Sequence, residues 1–555
     1  MTEGQVNRPG AREAGGRAKE TAGASAASDR GGRGGPAPAG AGRLIGWVGD
    51  RLLDAAPALT TLALLAVYPF LRYPLNAPLL AEVFRAAFIT FWIGYLLLSM
   101  GFALRTRREL LANGSVDWMA RLGEAGATLP QYVLLMPLKG ETNRHVLSRT
   151  LRSVEGQTYP HERLLLMPIV EAEDTATLAE VRALVPAFAD RLSIEVFTYP
   201  AVDLPTCCKA TSLTRAGQAM AARAAAGAFG RDVVRIMVLD ADTLLHPQDL
   251  AFREHTHRLE TARAPRARGV VLQSLTTYTT NYWRIPMLPR LHNTGFVLYQ
   301  MGKMQTRGDY LILGPGTSLD LTTLVDVDYF EPNRHNEDMQ FRYKVVMEGY
   351  RVAPLTLPTW GQAPLTTGDS WDQIARWARG AVDAKFIVRY RRRHRGRVGL
   401  LRTKTYLAVR ALVANAMPPA MVLLPAQLIL ISWFNPFLSL VGKLPVFASP
   451  DVLLLKHRLT YLVNAIAAFN IHFQTAVLTC SMVVGMAAVP YLLGAIIYQR
   501  PPRRWRRGRQ LFEWFRLTFT PFNLHNYLLM ASAQLYTQTR LALGFSIAHT
   551  RVTRK

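Results

Sequence analysis

The chain has 555 residues, half of them apolar, and a formal net charge of +26 at neutral pH. That length holds a large domain and further material. High apolar content with excess basic charge fits a membrane protein with basic cytosolic flanks. A nucleic-acid binder would instead interleave basic and aromatic residues on one face. Positive charge here gathers in the N-terminal tail, beside apolar runs, and in Arg500 to Arg509, so no nucleic-acid partner is expected. Cys207, Cys208 and Cys480 form neither a ligand-spaced set nor a disulfide framework.

In chain order, residues 1–42 are rich in Gly, Ala, Arg and Glu and read as a disordered basic tail. Two apolar runs follow within 43–105, at Ala55 to Leu71 and Ala86 to Leu104. Each approaches the length that crosses about 30 Å of hydrocarbon. Flanking arginines on both sides predict a hairpin with both ends in the cytoplasm. Residues 106–400 look soluble. Strands are expected at Tyr132 to Met136, Arg163 to Val170 and Ile194 to Thr198, alternating with helices at Arg144 to Val154, Thr175 to Leu184 and Lys209 to Ala228. A strand then runs through Ile236 to Leu239. The alternation predicts a doubly wound α/β domain with a mostly parallel sheet. In 401–510 an interfacial helix from Thr405, a span at Pro419 to Leu440 and another at Thr475 to Tyr498 are expected. Residues 511–555 read as an interfacial helix, Leu511 to Gly544, with a basic tail. The sum is about four crossings, a plasma-membrane location, and a catalytic domain and both termini in the cytoplasm.

Ile236 to Leu239 do not alternate in polarity, so their strand is covered on both faces, and it ends in Asp240-Ala241-Asp242. Ligands collect at the carboxyl ends of parallel strands. The pair is either a solvated turn or an anchor for Mg2+ or Mn2+ carrying a diphosphate. Further acids close the earlier strands: Glu141, then Glu171, Glu173 and Asp174. Lys209 opens its helix, where an ammonium is favourable beside a bound anion and otherwise is an exposed lysine without a role. Glu337 and Asp338 come after Gly314-Pro315-Gly316 and before a helix expected over Met339 to Glu348. They are either favourable charge at a helix start or a general base for a hydroxyl nucleophile. Gln373, Arg376 and Trp377 share a helix face. They read as a core tryptophan with an ion-paired arginine, or as a phosphate fork beside a sugar platform.

Taken together and in this order, these motifs resemble the membrane-integrated family-2 glycosyltransferases, the group of cellulose, hyaluronan and poly-N-acetylglucosamine synthases. The matching residues are Pro137 to Glu141, Gln157-Thr158-Tyr159-Pro160, the acidic end of the second strand, Lys209, Asp240-Ala241-Asp242, Gly314-Pro315-Gly316, Glu337-Asp338 and Gln373-x-x-Arg376-Trp377. The resemblance implies a GT-A type nucleotide-diphospho-sugar transferase, a hexosyltransferase, inserted between transmembrane helices. It implies that Glu141 and an acid among Glu171, Glu173 and Asp174 line the nucleotide pocket. Asp240 would sit at ribose and diphosphate, and Asp242 would ligate the metal, with Asp240 beside it. Asp338, with Glu337 adjacent, would be the catalytic base; Gln373, Arg376 and Lys209 would hold the diphosphate, and Trp377 would lie under the acceptor. The implied reaction inverts the anomeric carbon and extends a polysaccharide, with UDP as the expected carrier and translocation as its companion. A single transfer to a lipid or cell-envelope acceptor, and a catalytically silent scaffold, are the alternatives. The sequence departs from the family pattern at Gly140, at Glu171-Ala172-Glu173-Asp174, at Asn336 and at Gln362, and shows no counterpart of the gating loop.

Overall fold

The computed structural model describes residues 78–394 except 127, 201–208, 231, 307–309, 332–336 and 382–383, together with scattered positions over 58–75, the segment 488–498, and positions 508, 512, 532–533, 535–540 and 543. The elements are α1 (Pro78–Gly114), α2 (Trp118–Glu124), β1 (Gln131–Leu138), α3 (Arg144–Glu155), β2 (Leu164–Glu171), α4 (Thr175–Leu184), β3 (Ser193–Ile194), β4 (Phe197–Tyr199), α5 (Lys209–Ala225), β5 (Val234–Val238), α6 (Asp249–Arg263), β6 (Val270–Thr277), α7 (Met287–Met304), β7 (Thr317–Asp320), α8 (Leu321–Asp326), α9 (Glu337–Met347), β8 (Arg351–Trp360), α10 (Thr367–Ala381) and α11 (Ala384–Arg393).

The strands form one mixed sheet in the order β3-β2-β1-β5-β7-β6-β8, with β4 also on β2. Every pairing is parallel except the two made by β7, which runs antiparallel to β5 and β6. Apolar residues of β1 and β5 divide between two cores. Val133, Leu135, Ile236 and Val238 pack with α5 and α7, while Tyr132, Leu134, Met136, Met237 and Leu239 pack with α3, α4 and α6. A fully buried Leu, Ile or Val contributes about 1.5–3 kcal/mol, so the two-faced apolar runs carry much of the fold. They also force the polar residues to the strand ends, where the carboxylates gather.

Several expected elements shift. The third strand is interrupted at Glu195 and Val196, giving β3 and β4 on the same partner. The helix expected over Met339 to Glu348 begins at Glu337, so Glu337 and Asp338 occupy its first turn. There the unsatisfied N–H groups and the dipole favour carboxylates.

Among the described residues no helix is long and apolar enough to cross a membrane. The span expected at Ala86 to Leu104 falls within α1, a 37-residue helix whose C-terminal part is seated on the domain. Ala103 and Leu110 are buried in the core, Thr106 Oγ1 donates to Met301 O at 2.7 Å, and Asn113 Nδ2 donates to Thr356 Oγ1 at 2.6 Å. The end of the run expected at Thr475 to Tyr498 is likewise docked. Val489, Leu492, Leu493 and Ile496 are buried in the same core. Trp360 Nε1 and Thr279 Oγ1 both donate to Ile496 O, at 3.2 and 3.1 Å. Only scattered positions of the run at Ala55 to Leu71 are described, and the interfacial helix from Thr405, the span at Pro419 to Leu440, the N-terminal tail, most of the C-terminal helix and the three cysteines lie outside the described residues.

Candidate active site

The carboxyl ends of β2, β1 and β5 lie side by side, and the acids there divide into two groups. At β1 and β2, Gly140 turns the chain with φ +65°. Its N–H donates to Asp174 Oδ2 at 2.7 Å, and Asp174 Oδ1 caps α4 by accepting from Thr177 N at 3.2 Å. Burial acts to raise the Asp174 carboxyl, but the Gly140 and Thr177 donors outweigh it and hold the group below its usual range. Asp174 is thus engaged as a cap. Glu173 is exposed. Glu171 is buried, 3.2 Å from Lys139 Nζ and 3.3 Å from Tyr199 Oη, which in turn pairs with Ser212 Oγ at 2.7 Å. Glu141 is half-buried, its N–H donating to Thr177 Oγ1 at 2.9 Å.

At β5 the acids crowd together. Asp240 accepts from Lys209 Nζ at 2.6 Å, and the same ammonium lies 3.3 Å from Glu337 Oε1. Lys209 stands at the start of α5 and Glu337 at the start of α9, so two helix N-termini converge on the strand end. Burial alone would lower the Lys209 ammonium; Asp240, Glu337 and Asp338 reverse this and hold it well above its usual range. Asp338 Oδ1 accepts from Met339 N at 2.6 Å. Burial and the neighbouring Glu337 push its carboxyl up to about 7, against the opposing pull of Lys209, the Met339 N–H and Arg376. Asp242 is buried, and its Oδ2 accepts from the backbone N–H of Gln362 at 2.6 Å. Because the contact is through the backbone, it does not depend on the Gln362 side chain. Gly361 sits so close that a Cβ there would meet Asp242 Oδ2 and Tyr278 at 3.4 Å each.

On α10, Gln373 is buried and Arg376 acts electrostatically on Asp338. Trp377 stacks on Phe296 (ring centroids 5.1 Å apart), with His292 at 5.9 Å and Tyr278 at 6.1 Å. The structure therefore brings Lys209, Asp240, Glu337, Asp338 and Arg376 into one charged cluster. Tyr278 links it, through Asp242, to Trp377. Sequence reasoning missed Tyr278, His292 and Phe296, whose strand and helix carry no motif, and Tyr199 and Lys139 beside Glu171.

Residues 235–487 match the family model described as glycosyl transferase family group 2. Residues 235–487 thus carry a family-2 glycosyltransferase domain, and the protein is a glycosyltransferase. The match opens at the start of β5 and takes in Asp240, Asp242, Glu337, Asp338, Gln373, Arg376 and Trp377; Glu141, Glu171 and Lys209 precede it. Among solved structures, the glycosyltransferase is similar to the mannosyltransferase PcManGT from Pyrobaculum calidifontis in complex with GDP-Man and Mn2+. Identity is 15%, coverage 67% of this chain and 99% of that one, and the TM-score 0.35. It is also similar to S. aureus TarS 1-349 in complex with UDP-GlcNAc, at 14% identity, 53% and 86% coverage and a TM-score of 0.29. Likenesses this loose bear on neither substrate nor mechanism. No curated protein matches the chain.

Proposed function

We propose that the enzyme transfers a sugar from a nucleotide diphosphate sugar, UDP-linked by expectation, onto a growing polysaccharide at the cytoplasmic face of a membrane, inverting the anomeric centre. The observation that carries this reading is Asp338: a carboxylate at a helix start, raised to about 7, in a cluster with Lys209 and Arg376. A base with its pKa near the operating pH is suited to take a proton from a sugar hydroxyl. In this reading Asp338 accepts that proton as the hydroxyl attacks, Arg376 and Lys209 neutralise the departing diphosphate, and Gln373 orients it. Trp377, one ring face covered by Phe296, holds the acceptor sugar. Glu171 is the acid of its segment best placed for the nucleotide base, since Asp174 is engaged as a cap.

Asp240 and Asp242 offer oxygen donors alone, the set that Mg2+ or Mn2+ favours. Among the described residues no group of three His, Cys, Asp or Glu side chains gathers to hold an ion by itself. The residues fit an ion shared with the diphosphate, with Asp242 as the direct ligand and Asp240 beside it once Lys209 turns to phosphate. Bound there, the ion would supply Lewis-acid charge for the leaving group.

Membrane attachment is part of the proposal. Leu80, Val83, Leu97 and Leu98 of α1 are each about half exposed, as are Leu59, Leu62, Phe70 and Leu75 before it. Apolar exposure on that scale suits lipid. Alkaline extraction of membranes tests this: a protein released to the supernatant rules the attachment out.

The decisive experiment incubates detergent-purified enzyme with a panel of nucleotide sugars and Mg2+ or Mn2+, recording diphosphate release and product length. A ladder or high polymer supports elongation. A single addition transfers the reading to a lipid or cell-envelope acceptor, and no release from any donor overturns both.

A further inference from the structure

Behind the Gly314-Pro315-Gly316 turn stands a buried polar clasp that the catalytic reading does not use. Gln273 of β6 is fully buried, and both ends of its amide are engaged. Its Oε1 accepts from Leu313 N at 2.9 Å and Thr317 Oγ1 at 2.6 Å. Its Nε2 donates to Pro315 O at 2.9 Å, with Ser274 O at 3.1 Å and Thr276 Oγ1 at 3.2 Å. Across the turn, Arg253 of α6 is also fully buried and is neutralised by Asp249 at 2.5 Å. It donates to Gly316 O at 2.8 Å and Ser318 Oγ at 3.1 Å, and to Ser274 Oγ. The Gly316 N–H completes the hold by donating to Val238 O at 2.8 Å, at the end of β5.

What this clasp holds lies against the charged cluster. Gly314 has φ +82°, and a Cβ there would stand 3.1 Å from Lys209 Nζ, 3.8 Å from Asp338 Oδ2 and 3.9 Å from Glu337 Oε1. The turn is therefore one wall of the carboxylate cage, with no room for a side chain there, and moving it would change the space around Lys209, Glu337 and Asp338. Desolvated amides that make all their hydrogen bonds fix geometry well, and leaving their partners unmade is costly.

We propose that Gln273 is a positioning residue for sugar transfer: through Leu313, Pro315 and Thr317 it fixes the Gly314 wall that keeps Lys209, Glu337 and Asp338 in register and dry. This rests on the reading of Asp338 as the base. The groups facing that carboxyl are Glu337 on its own helix, Lys209 from α5, Arg376 from α10, and Tyr278 after β6.

The test uses the full-length enzyme in detergent with Gln273→Met, which keeps volume and removes every polar contact, and the milder Thr317→Val. With whichever of UDP-glucose, UDP-GlcNAc and GDP-mannose the wild type turns over, Gln273→Met is expected to lower kcat about tenfold or more, since small misplacements of reacting groups cost that much. KM for the nucleotide sugar should rise by less than kcat falls, because Lys209 lies against the displaced wall while Arg376 and Gln373, the other phosphate contacts, stand on α10. Independently of any donor, carbodiimide labelling of Asp338 across a pH series, read by mass spectrometry, is expected to show the protonation midpoint falling by about one unit as water enters. Thr317→Val should move both readouts the same way by less. An unchanged midpoint with unchanged kcat in a folded variant overturns the proposal. Should Gln273→Met not fold, Thr317→Val decides alone by the same criteria. If no donor is turned over by the wild type, the transfer reading is what has failed, and the labelling arm still decides the clasp.

Discussion

The two ends of β5 are both charged, and they solve the problem differently. At its start, buried Arg235 donates to Glu254 at 2.8 Å, pairs with Asp320 and meets His257 Nε2 at 3.0 Å, while Glu254 also holds Arg258 at 2.6 Å. Cations and carboxylates there match one for one. Past its other end, Asp240, Glu337 and Asp338 share Lys209, with Arg376 beyond, and one carboxyl is driven up to about 7. A balanced network holds a fold together. An unbalanced one stores the capacity to take up a proton, an ion or an anionic substrate, and perturbed titration of this kind marks functional sites.

That contrast can be broken at either end. The largest expected effect is Asp338→Asn, which should cut turnover by about 10³-fold, within the range of positioned acid–base groups. Nucleotide binding should persist, and single-turnover kinetics beside calorimetry would separate the two. Arg235→Met should do the reverse. It removes the cation that Glu254 and Asp320 share, leaving them only Arg258 and His257, and should cost about 3 kcal/mol in denaturant unfolding, while the folded fraction keeps its kcat. If both substitutions act alike on kcat and stability, the distinction between the two ends fails.

Lys209→Met should weaken diphosphate binding by roughly 10- to 100-fold, the value of a charge-assisted hydrogen bond, as read by nucleoside diphosphate inhibition. The pH profile sharpens the same point. Below about pH 7 Asp338 keeps its proton and cannot accept another, so kcat/KM should rise through that region and level above it. Stability should run the opposite way. The folded carboxyl titrates near 7 and the unfolded one near 3.8, so the native state holds a proton that the unfolded chain has lost, and stability falls as pH rises through that window. Asp338→Asn should remove that component of the slope. The smallest effect belongs to Asp174→Ala: loss of the α4 cap costs about 1 kcal/mol with little change in nucleotide KM, whereas Glu171→Gln should raise that KM.

The sequence made β5 legible because its apolar run is uninterrupted and two acids follow at once. The Ala-rich helix after Lys209 was legible for its composition, ending three residues sooner than expected. Asp174 was ambiguous for a physical reason. An acid between a strand and a helix serves equally as a ligand or a cap, and only the Gly140 and Thr177 donors decide between them. The antiparallel β7 was not legible, since a four-residue strand has too few positions to show a period. Nor were Trp377's companions, because Tyr278, His292 and Phe296 come from other elements and meet it only through packing. Gln273 offered no signal at all. A single amide in a strand that also carries Ser274, Thr276 and Thr277 does not stand out until its partners are seen.

The carbonyl of Ile496 receives Trp360 and Thr279, and Trp360 directly precedes Gly361, which packs on Asp242. Trp360 and Ile496 are 136 residues apart in the chain. A ribosome adding about 5–20 residues per second needs roughly 7–27 s to cover that distance. Once Trp377 has been added, a nascent chain holds all eight strands and every named site residue, yet for most of that interval it lacks the acceptor that secures the end of its last strand. The site is thus finished late, by residues synthesised long after those that do the chemistry.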